Sequence, residues 1–183
     1  MRVCGLFIGV DRHANPLIRD LTGAARDATA LCALFRDSIE GLEAKLLVNE
    51  EARHASLRTA LEAALVDAPE DGVVILGFAG HGTKDHRLVA HDTSVDDIPG
   101  TSIDMGTLAS LFRRCRARAV ICMLDCCFSG GAAARVLDIG LAARAMSLGE
   151  VAGQGRLLFT ASLPGVGTRA VRNRTLRRTK REL

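Results

Sequence analysis

Two apolar runs in this sequence end in side chains that could perform nucleophilic chemistry. The run VVILGFA is followed by His81 between two glycines, and the run RAVICML is followed by an aspartate and the pair Cys126–Cys127. A cysteine nucleophile needs a base that takes its proton and donors that hold the oxyanion of the attacked carbonyl. His81 could be that base, and the amide of Gly82 could be one of those donors.

Each motif alone has a more ordinary interpretation. A single histidine after a strand is more often a hydrogen-bonded structural residue, and two cysteines at a strand end are more often packing residues. The combination favours a site, because His81 and Cys127 follow successive apolar runs and stand 46 positions apart (127 minus 81). The remaining cysteines lie in apolar patterns without a CxxC pair, so we expect reduced packing residues at Cys4, Cys32, Cys115 and Cys122.

The rest of the sequence alternates between apolar runs and amphipathic segments. Strands are predicted at 3–10, 44–48, 73–79, 118–124 and 156–161, and helices at 23–38, at 56–66 with Ser56 as N-cap, and from Ser102 or Asp104 to about 116. No structure is predicted for the Ala/Gly-rich segment 129–155. The alternation predicts βαβ units, hence an α/β fold with a mostly parallel sheet and helices on both faces. Ligands of such sheets gather at the carboxyl ends of the strands, where both motifs stand.

Composition restricts the classes of protein that remain. The 183 residues suffice for one domain with a substantial core, and the absence of Trp and Tyr argues against a base-stacking platform for nucleic acid. The net charge of +3 comes from the last fifteen residues, which hold seven Arg/Lys and one Glu. The apolar stretch 3–10 is too short to span a membrane and lacks a signal-peptide cleavage pattern, so a cytoplasmic protein without membrane contact is expected.

Four segments resemble caspase-like cysteine peptidases, in order along the chain. FAGHG (78–82) resembles their SGHG element, and DCCFSGG (125–131) resembles the D-x-C-x-S-G element of metacaspases and bacterial caspase-family proteins. Residues 7–31 are similar to the first strand, loop and helix of that family, and RLLFTAS (156–162) is similar to the strand after the catalytic loop. The resemblance implies a caspase-like three-layer αβα sandwich and a catalytic domain over residues 1–165.

The same resemblance implies roles for the residues of both motifs. His81 matches the general base, Cys127 matches the nucleophile, and the amides of Gly82 and Cys127 match the oxyanion hole. Cys126 stands at a variable position and is expected to pack. No third residue that orients the base can be named from the sequence, and no cofactor is expected to be required.

Two acids match residues that line the substrate pocket of metacaspases. Asp27 and Asp125 would hold a guanidinium or an ammonium by charge-assisted hydrogen bonds and would repel an acidic side chain. We therefore expect cleavage of protein or peptide substrates after Arg or, less readily, Lys. The alternative for Asp27 is a solvated acid early in a helix, where the dipole favours it.

The run HDTSVDD (91–97) contains Asp92, Asp96 and Asp97, which are possible calcium ligands or parts of a solvated loop. His86 and His91 are expected at the surface.

The resemblance fails after residue 162, where the family usually continues into a further helix and strand. A basic tail, 166–183, follows instead and is expected to be disordered. Three explanations stay open: a frameshifted or truncated end, a basic arm for nucleic acid or an acidic partner, or a minimal domain whose sheet is completed by a partner chain or by self-association.

The main hypothesis is a thiol protease, and the alternative is a weak or inactive regulatory or interaction module. A nucleotide-binding domain is disfavoured, since neither G-x-G-x-x-G nor a P-loop follows the first apolar run.

Overall fold

The computed structural model describes residues 1–83, 85–126 and 155–160. In chain order the elements are β1 (Val3–Gly9), α1 (Ala24–Ser38), β2 (Glu43–Val48), a 3₁₀ turn (Asn49–Glu51), α2 (His54–Leu65), β3 (Val73–Gly80), β4 (Arg87–Val89), α3 (Ile98–Thr101), β5 (Ser102–Asp104), α4 (Met105–Arg114), β6 (Ala119–Cys126) and β7 (Arg156–Thr160). Each of the five predicted strands and three predicted helices is present in this part of the chain.

Five strands form one parallel sheet in the order β2-β1-β3-β6-β7. The strands β1 and β3 lie inside the sheet, and their apolar sequences are buried almost throughout. Continuous burial is what a parallel strand covered on both faces requires. The expected α/β architecture is therefore confirmed.

Two hydrophobic cores lie on opposite faces of this sheet. Leu6 and Ile8 of β1 point to the face where side chains of α2 and α4 pack, whereas the intervening Phe7 packs with Cys32 of α1. Alternate residues of a strand point to opposite faces, so this division gives three layers, αβα. Helix α1, which contains Asp27, thus covers one face, and α2 and α4 cover the other.

The contact between α1 and β1 requires a glycine at residue 9. A Cβ atom at Gly9 would lie 2.5 Å from the carbonyl oxygen of Ala24 and 2.8 Å from Cβ of Ala28. The first turn of α1 is also attached to the end of β1, because the Asp11 carboxylate accepts the Ala25 N–H at 3.1 Å. These contacts fix the start of α1 at the carboxyl edge of the sheet.

The structure corrects one predicted helix start and decides between the two candidates for another. Helix α2 begins at His54 rather than near Ser56, since the His54 N–H donates to Oδ1 of Asp92 at 2.7 Å, a distant acceptor that local sequence does not reveal. For α4 the correct candidate is Asp104, whose carboxylate accepts the Thr107 N–H at 2.9 Å. Ser102 lies in β5 instead.

A second, antiparallel sheet of β4 and β5 was not predicted. Each strand has three residues and lies in a polar part of the sequence, so neither has a recognisable apolar run. In the described residues, no helix combines the length and the apolar composition needed to cross a membrane.

The packing role expected for the cysteines is confirmed for those that the structure describes. Cys32, Cys115, Cys122 and Cys126 are buried, and Cys4 is half-buried in β1. Burial raises the pKa of the Cys122 thiol, and the neighbouring Cys126 raises it further. A thiol in this environment stays protonated and is a poor nucleophile.

Candidate active site

The register of β3 against β6 brings the two motifs to one point of the sheet edge. Ala79 pairs with Asp125, and the last pair of the ladder is Gly80 with Cys126. Adjacent strands lie about 4.8 Å apart, and His81 and Cys127 directly follow the two members of this last pair in the sequence. Cys127 itself lies outside the described residues. The third and fourth of the predicted strands are therefore neighbours in the sheet.

A backbone carbonyl orients the His81 ring. Nε2 of His81 lies 2.6 Å from the carbonyl oxygen of Arg19. Because a carbonyl oxygen can only accept, Nε2 carries the proton and the lone pair of the neutral ring is on Nδ1. The sequence alone names no residue that orients His81, because a backbone carbonyl has no side-chain signature.

This carbonyl belongs to residues 11–22, the connection between β1 and α1, which we call the base loop. Oδ1 of Asn49 accepts the N–H groups of both Asp11 and Arg12, each at 3.0 Å. Asn49 has φ of 47°, a left-handed conformation that asparagine adopts more readily than most residues. The base loop is therefore held at its start by the end of β2.

The base loop is also held by the residues after β4. The carbonyl of His91 accepts the Ala14 N–H at 2.8 Å, and Nδ1 of His91 donates to the Arg12 carbonyl, also at 2.8 Å. The expectation that His91 is a surface residue is wrong, because only 7% of it is exposed. His86, expected at the surface as well, is partly buried in a turn and has φ of 60°.

The backbone of Gly82 is fixed by an antiparallel bridge to Leu88. The hydrogen bonds of this bridge come from its flanking residues, from Val89 N–H to the His81 carbonyl at 3.1 Å and from Thr83 N–H to the Arg87 carbonyl at 3.0 Å. In such a non-hydrogen-bonded pair, the N–H of the central residue points away from the partner strand. The Gly82 N–H is thus not used in pairing with β4, as an oxyanion donor requires.

Asp27 and Asp125 line one pocket of about 430 Å³, on the face of the sheet that α1 covers. Apolar side chains of both layers complete the lining, among them Leu31, Met123 and Phe159. Burial raises the pKa of the Asp125 carboxyl even though the residue keeps part of its surface exposed, and the nearby Asp27 carboxylate raises it further. The pocket therefore combines two carboxylates with an apolar wall.

The Asp27 side chain combines both of its expected environments. It lies early in α1, is 58% exposed, and has the Arg26 Nε 3.6 Å from its Oδ1. An exposed pair of this kind contributes at most about 1 kcal/mol, so it can be exchanged for a better partner. The two acids that the family resemblance assigned to one pocket are thus neighbours in the fold.

The acids of the run 91–97 make hydrogen bonds of their own. Asp92 accepts the His54 N–H, and Oδ1 of Asp97 accepts the Gly100 N–H at 3.0 Å, while Asp96 is exposed. Within residues 1–83, 85–126 and 155–160, no three His, Cys, Asp or Glu side chains group so as to hold a metal ion. Calcium binding stays a prediction.

Comparison with known proteins agrees with this architecture. The crystal structure of protein GSU0716 from Geobacter sulfurreducens is similar, with a TM-score of 0.56 and 17% identity, over 84% of this chain and 66% of that one. This chain therefore spans slightly less than two thirds of that protein, and the likeness concerns the fold. No curated protein sequence matches. The model of the caspase domain, peptidase C14, matches residues 2–168, nearly the whole sequence, and the chain belongs to this family of cysteine peptidases.

Proposed function

We propose that the chain is a cysteine endopeptidase with a His81–Cys127 dyad, which cleaves protein or peptide substrates after Arg or, less readily, Lys. The observation that carries this proposal is the β3–β6 register, whose last pair, Gly80 and Cys126, directly precedes both members of the dyad. The family match supports the class of enzyme. The acid pocket supports the preference for a basic side chain.

The ring geometry of His81 supports one course of proton transfer. With Nε2–H donating to the Arg19 carbonyl, Nδ1 accepts the proton of the Cys127 thiol. The thiolate attacks the scissile carbonyl, and the N–H groups of Gly82 and Cys127 stabilise the oxyanion. The tetrahedral intermediate collapses to a thioester as Nδ1–H protonates the leaving amine, and water activated by the same nitrogen then hydrolyses the thioester.

The acid pocket would select the residue before the scissile bond. Two carboxylates can accept the planar donor fork of a guanidinium, whereas a lysine ammonium offers a single point charge. An acidic side chain would meet two like charges at partly desolvated positions. The apolar wall would pack against the methylene stem that Arg and Lys share.

The test compares fluorogenic peptides that differ only in an Arg, Lys, Gln or Asp before the reporter, with and without calcium. We expect cleavage in the order Arg, Lys, then the others, and its complete loss in Cys127→Ala and in His81→Ala. Asp27→Asn and Asp125→Asn should each raise KM for the Arg peptide about tenfold, because each removes a charge-assisted hydrogen bond. Asp37→Asn, at the exposed far end of the same helix, is the matched control and should leave KM unchanged.

A protein that folds but cleaves no peptide would contradict the proposal and favour the alternative, an interaction module completed by a partner chain or by self-association. One observation supports that alternative. Strand β7, at one edge of the described sheet, exposes half of Leu157 and slightly more of Phe159, at 50% and 56%. Sedimentation of the inert protein as a dimer, lost in a Leu157→Asp, Phe159→Asp variant, would then favour self-association over a heterologous partner.

A further inference from the structure

A second histidine lies against the proposed base. The rings of His13 and His81 have their centroids 5.3 Å apart and are inclined by 35°. His13 belongs to the base loop, which also supplies the Arg19 carbonyl that accepts from Nε2 of His81. One loop therefore contacts the base twice, once at the ring face and once at the ring nitrogen.

The protonation state of His13 follows from its contacts. Its Nδ1 lies 3.3 Å from the Ala90 carbonyl, which can only accept, so the neutral ring carries its proton on Nδ1 and its lone pair on Nε2. In the described part of the chain, that Nε2 atom is buried and has no hydrogen-bond partner. Protonation would create a buried N–H without an acceptor, which is costly.

The surroundings of His13 lower its pKa, with burial as the largest cause. Burial lowers the pKa of His13, and the hydrogen bond to the Ala90 carbonyl partly opposes this. His81 and His91 lower the pKa further when they are charged, and Asp20, whose Oδ1 accepts the His13 N–H at 3.1 Å, raises it. A lowered pKa means that the charge is lost at a lower pH than usual, so His13 is neutral at neutral pH.

We propose that His13 is a positioning residue of the dyad: its neutral ring packs on His81 and holds that ring on the Arg19 carbonyl. This inference rests on the proposed function. When His81 takes the proton of Cys127 it becomes a cation, and a neutral ring beside it is compatible with that charge, whereas a second cation would repel it. The ring contact and the fixed loop leave His81 little freedom to turn, so Nδ1 stays oriented for proton transfer.

Imidazole nitrogen NMR on the whole chain tests the contact without any need for activity. The histidines are assigned by single replacements, with His54→Gln as a replacement outside this cluster. We expect His81 to be the Nε2–H tautomer and His13 the Nδ1–H tautomer. We also expect the His13 ring to be neutral at neutral pH. In His13→Ala, His81 should become a mixture of tautomers, whereas His13→Phe should preserve the single tautomer.

Peptide kinetics provide the second readout. His13→Ala should lower kcat about tenfold with KM within about twofold, and His13→Phe, which keeps the ring, should stay within about threefold of the wild type. His13→Gln keeps a donor for the Ala90 carbonyl but no ring. It should therefore resemble His13→Ala, and it serves as the test if His13→Ala does not fold.

An unchanged His81 tautomer and an unchanged kcat in folded His13→Ala or His13→Gln would overturn the proposal. If the wild type cleaves nothing, the proposed peptidase function fails, and the tautomers of His81 still decide whether His13 positions that ring.

Discussion

At the scale of single residues, the acid pocket brings together two carboxylates that repel each other until a cation enters. Burial and the Asp27 charge both raise the pKa of Asp125, so the empty pocket holds this charge at a cost to stability. A guanidinium bound between the two acids would remove that repulsion. The pocket is thus better suited to its proposed substrate than to the empty state, which is typical of binding sites.

The raised pKa of Asp125 predicts how substrate affinity depends on pH. An acid with a raised pKa is protonated at a higher pH than an ordinary aspartate. KM for an Arg peptide should therefore rise as the pH falls, beginning above the usual aspartate range near about 4. In Asp125→Asn this part of the pH profile should be absent. A wild-type KM that does not vary between pH 4 and 7 would contradict the prediction.

The same residue allows a stability measurement as an independent readout. Because the folded state binds the Asp125 proton more tightly than the unfolded chain, its charge destabilises the fold at neutral pH. Asp125→Asn should raise the free energy of unfolding at pH 7 by up to about 1 kcal/mol, a small value because the group is partly exposed. That advantage should disappear below the unfolded pKa. Asp37→Asn, outside the pocket, should not reproduce the effect.

Single residues also mark the limit of what the sequence could predict at the site. Recognisable sequence motifs identified His81, Gly82, Asp27 and Asp125. The Arg19 carbonyl could not be found, since any residue can supply a carbonyl oxygen. His13 was missed as a neighbour of His81, and His91 as a neighbour of His13, because only the folded base loop brings these positions together.

At the scale of the elements, the packing of α1 against β1 determines where Asp27 lies. Gly9→Ala would place a Cβ atom within 3 Å of backbone atoms of Ala24 and Ala25, which cannot rotate away. We expect α1 to shift, the free energy of unfolding to fall by about 2 kcal/mol or more, and KM for the Arg peptide to rise. Urea denaturation and peptide kinetics measure the two effects.

The control for that substitution is Gly41→Ala. Gly41 has φ of 75° and open space around it, so alanine there costs only about 1 kcal/mol of backbone strain and should leave KM unchanged. Equal KM values in Gly9→Ala and wild type would show that α1 does not position the pocket.

The base loop depends in the same way on Asn49 at the end of β2. Asn49→Ala removes the acceptor of two loop N–H groups and disfavours the left-handed backbone. It should therefore cost about 2 kcal/mol of stability. Because that loop orients His81, kcat should fall more than KM rises. Asn49→Gly permits the left-handed backbone but lacks the amide acceptor, so it separates the loss of the hydrogen bonds from the backbone strain. Glu50→Ala, an exposed neighbour, should change neither kcat nor KM.

The elements were predicted in proportion to the strength of their hydrophobic patterns. Strands β1, β3 and β6 are long apolar runs buried in the sheet, and their predicted bounds differ from the observed ones by no more than two residues. The short strands β4 and β5 were missed, since they pair with each other, and Leu88 of β4 pairs with Gly82, contacts that local periodicity does not indicate. The four-residue helix α3 is too short to show a helical period. The start of α2 was misplaced for the related reason that its acceptor, Asp92, is 38 residues away.

At the scale of the whole molecule, the sheet order predicts a gradient of local stability. The strands β1 and β3 are paired on both sides, whereas β2 and β7 are at the edges of the described sheet. Amide hydrogen exchange should accordingly be slowest in β1 and β3 and faster in β2 and β7. Exchange measured by mass spectrometry checks this order, and uniform protection across the sheet would contradict it.

The long-range pairing of this sheet also bears on synthesis in the cell. Val3 pairs with Val73, and Val73 pairs with Ala119, so β1 and β3 each lack one partner strand until a later part of the chain has been made. On the ribosome, β3 and His81 emerge before β6 and Cys127 exist, and parallel pairings of high sequence separation form slowly. A nascent chain therefore contains the base long before it contains a nucleophile aligned with it. Under the proposed function, proteolytic capacity would arise only after β6 and Cys127 have emerged, which would protect the polypeptide made before them from premature cleavage.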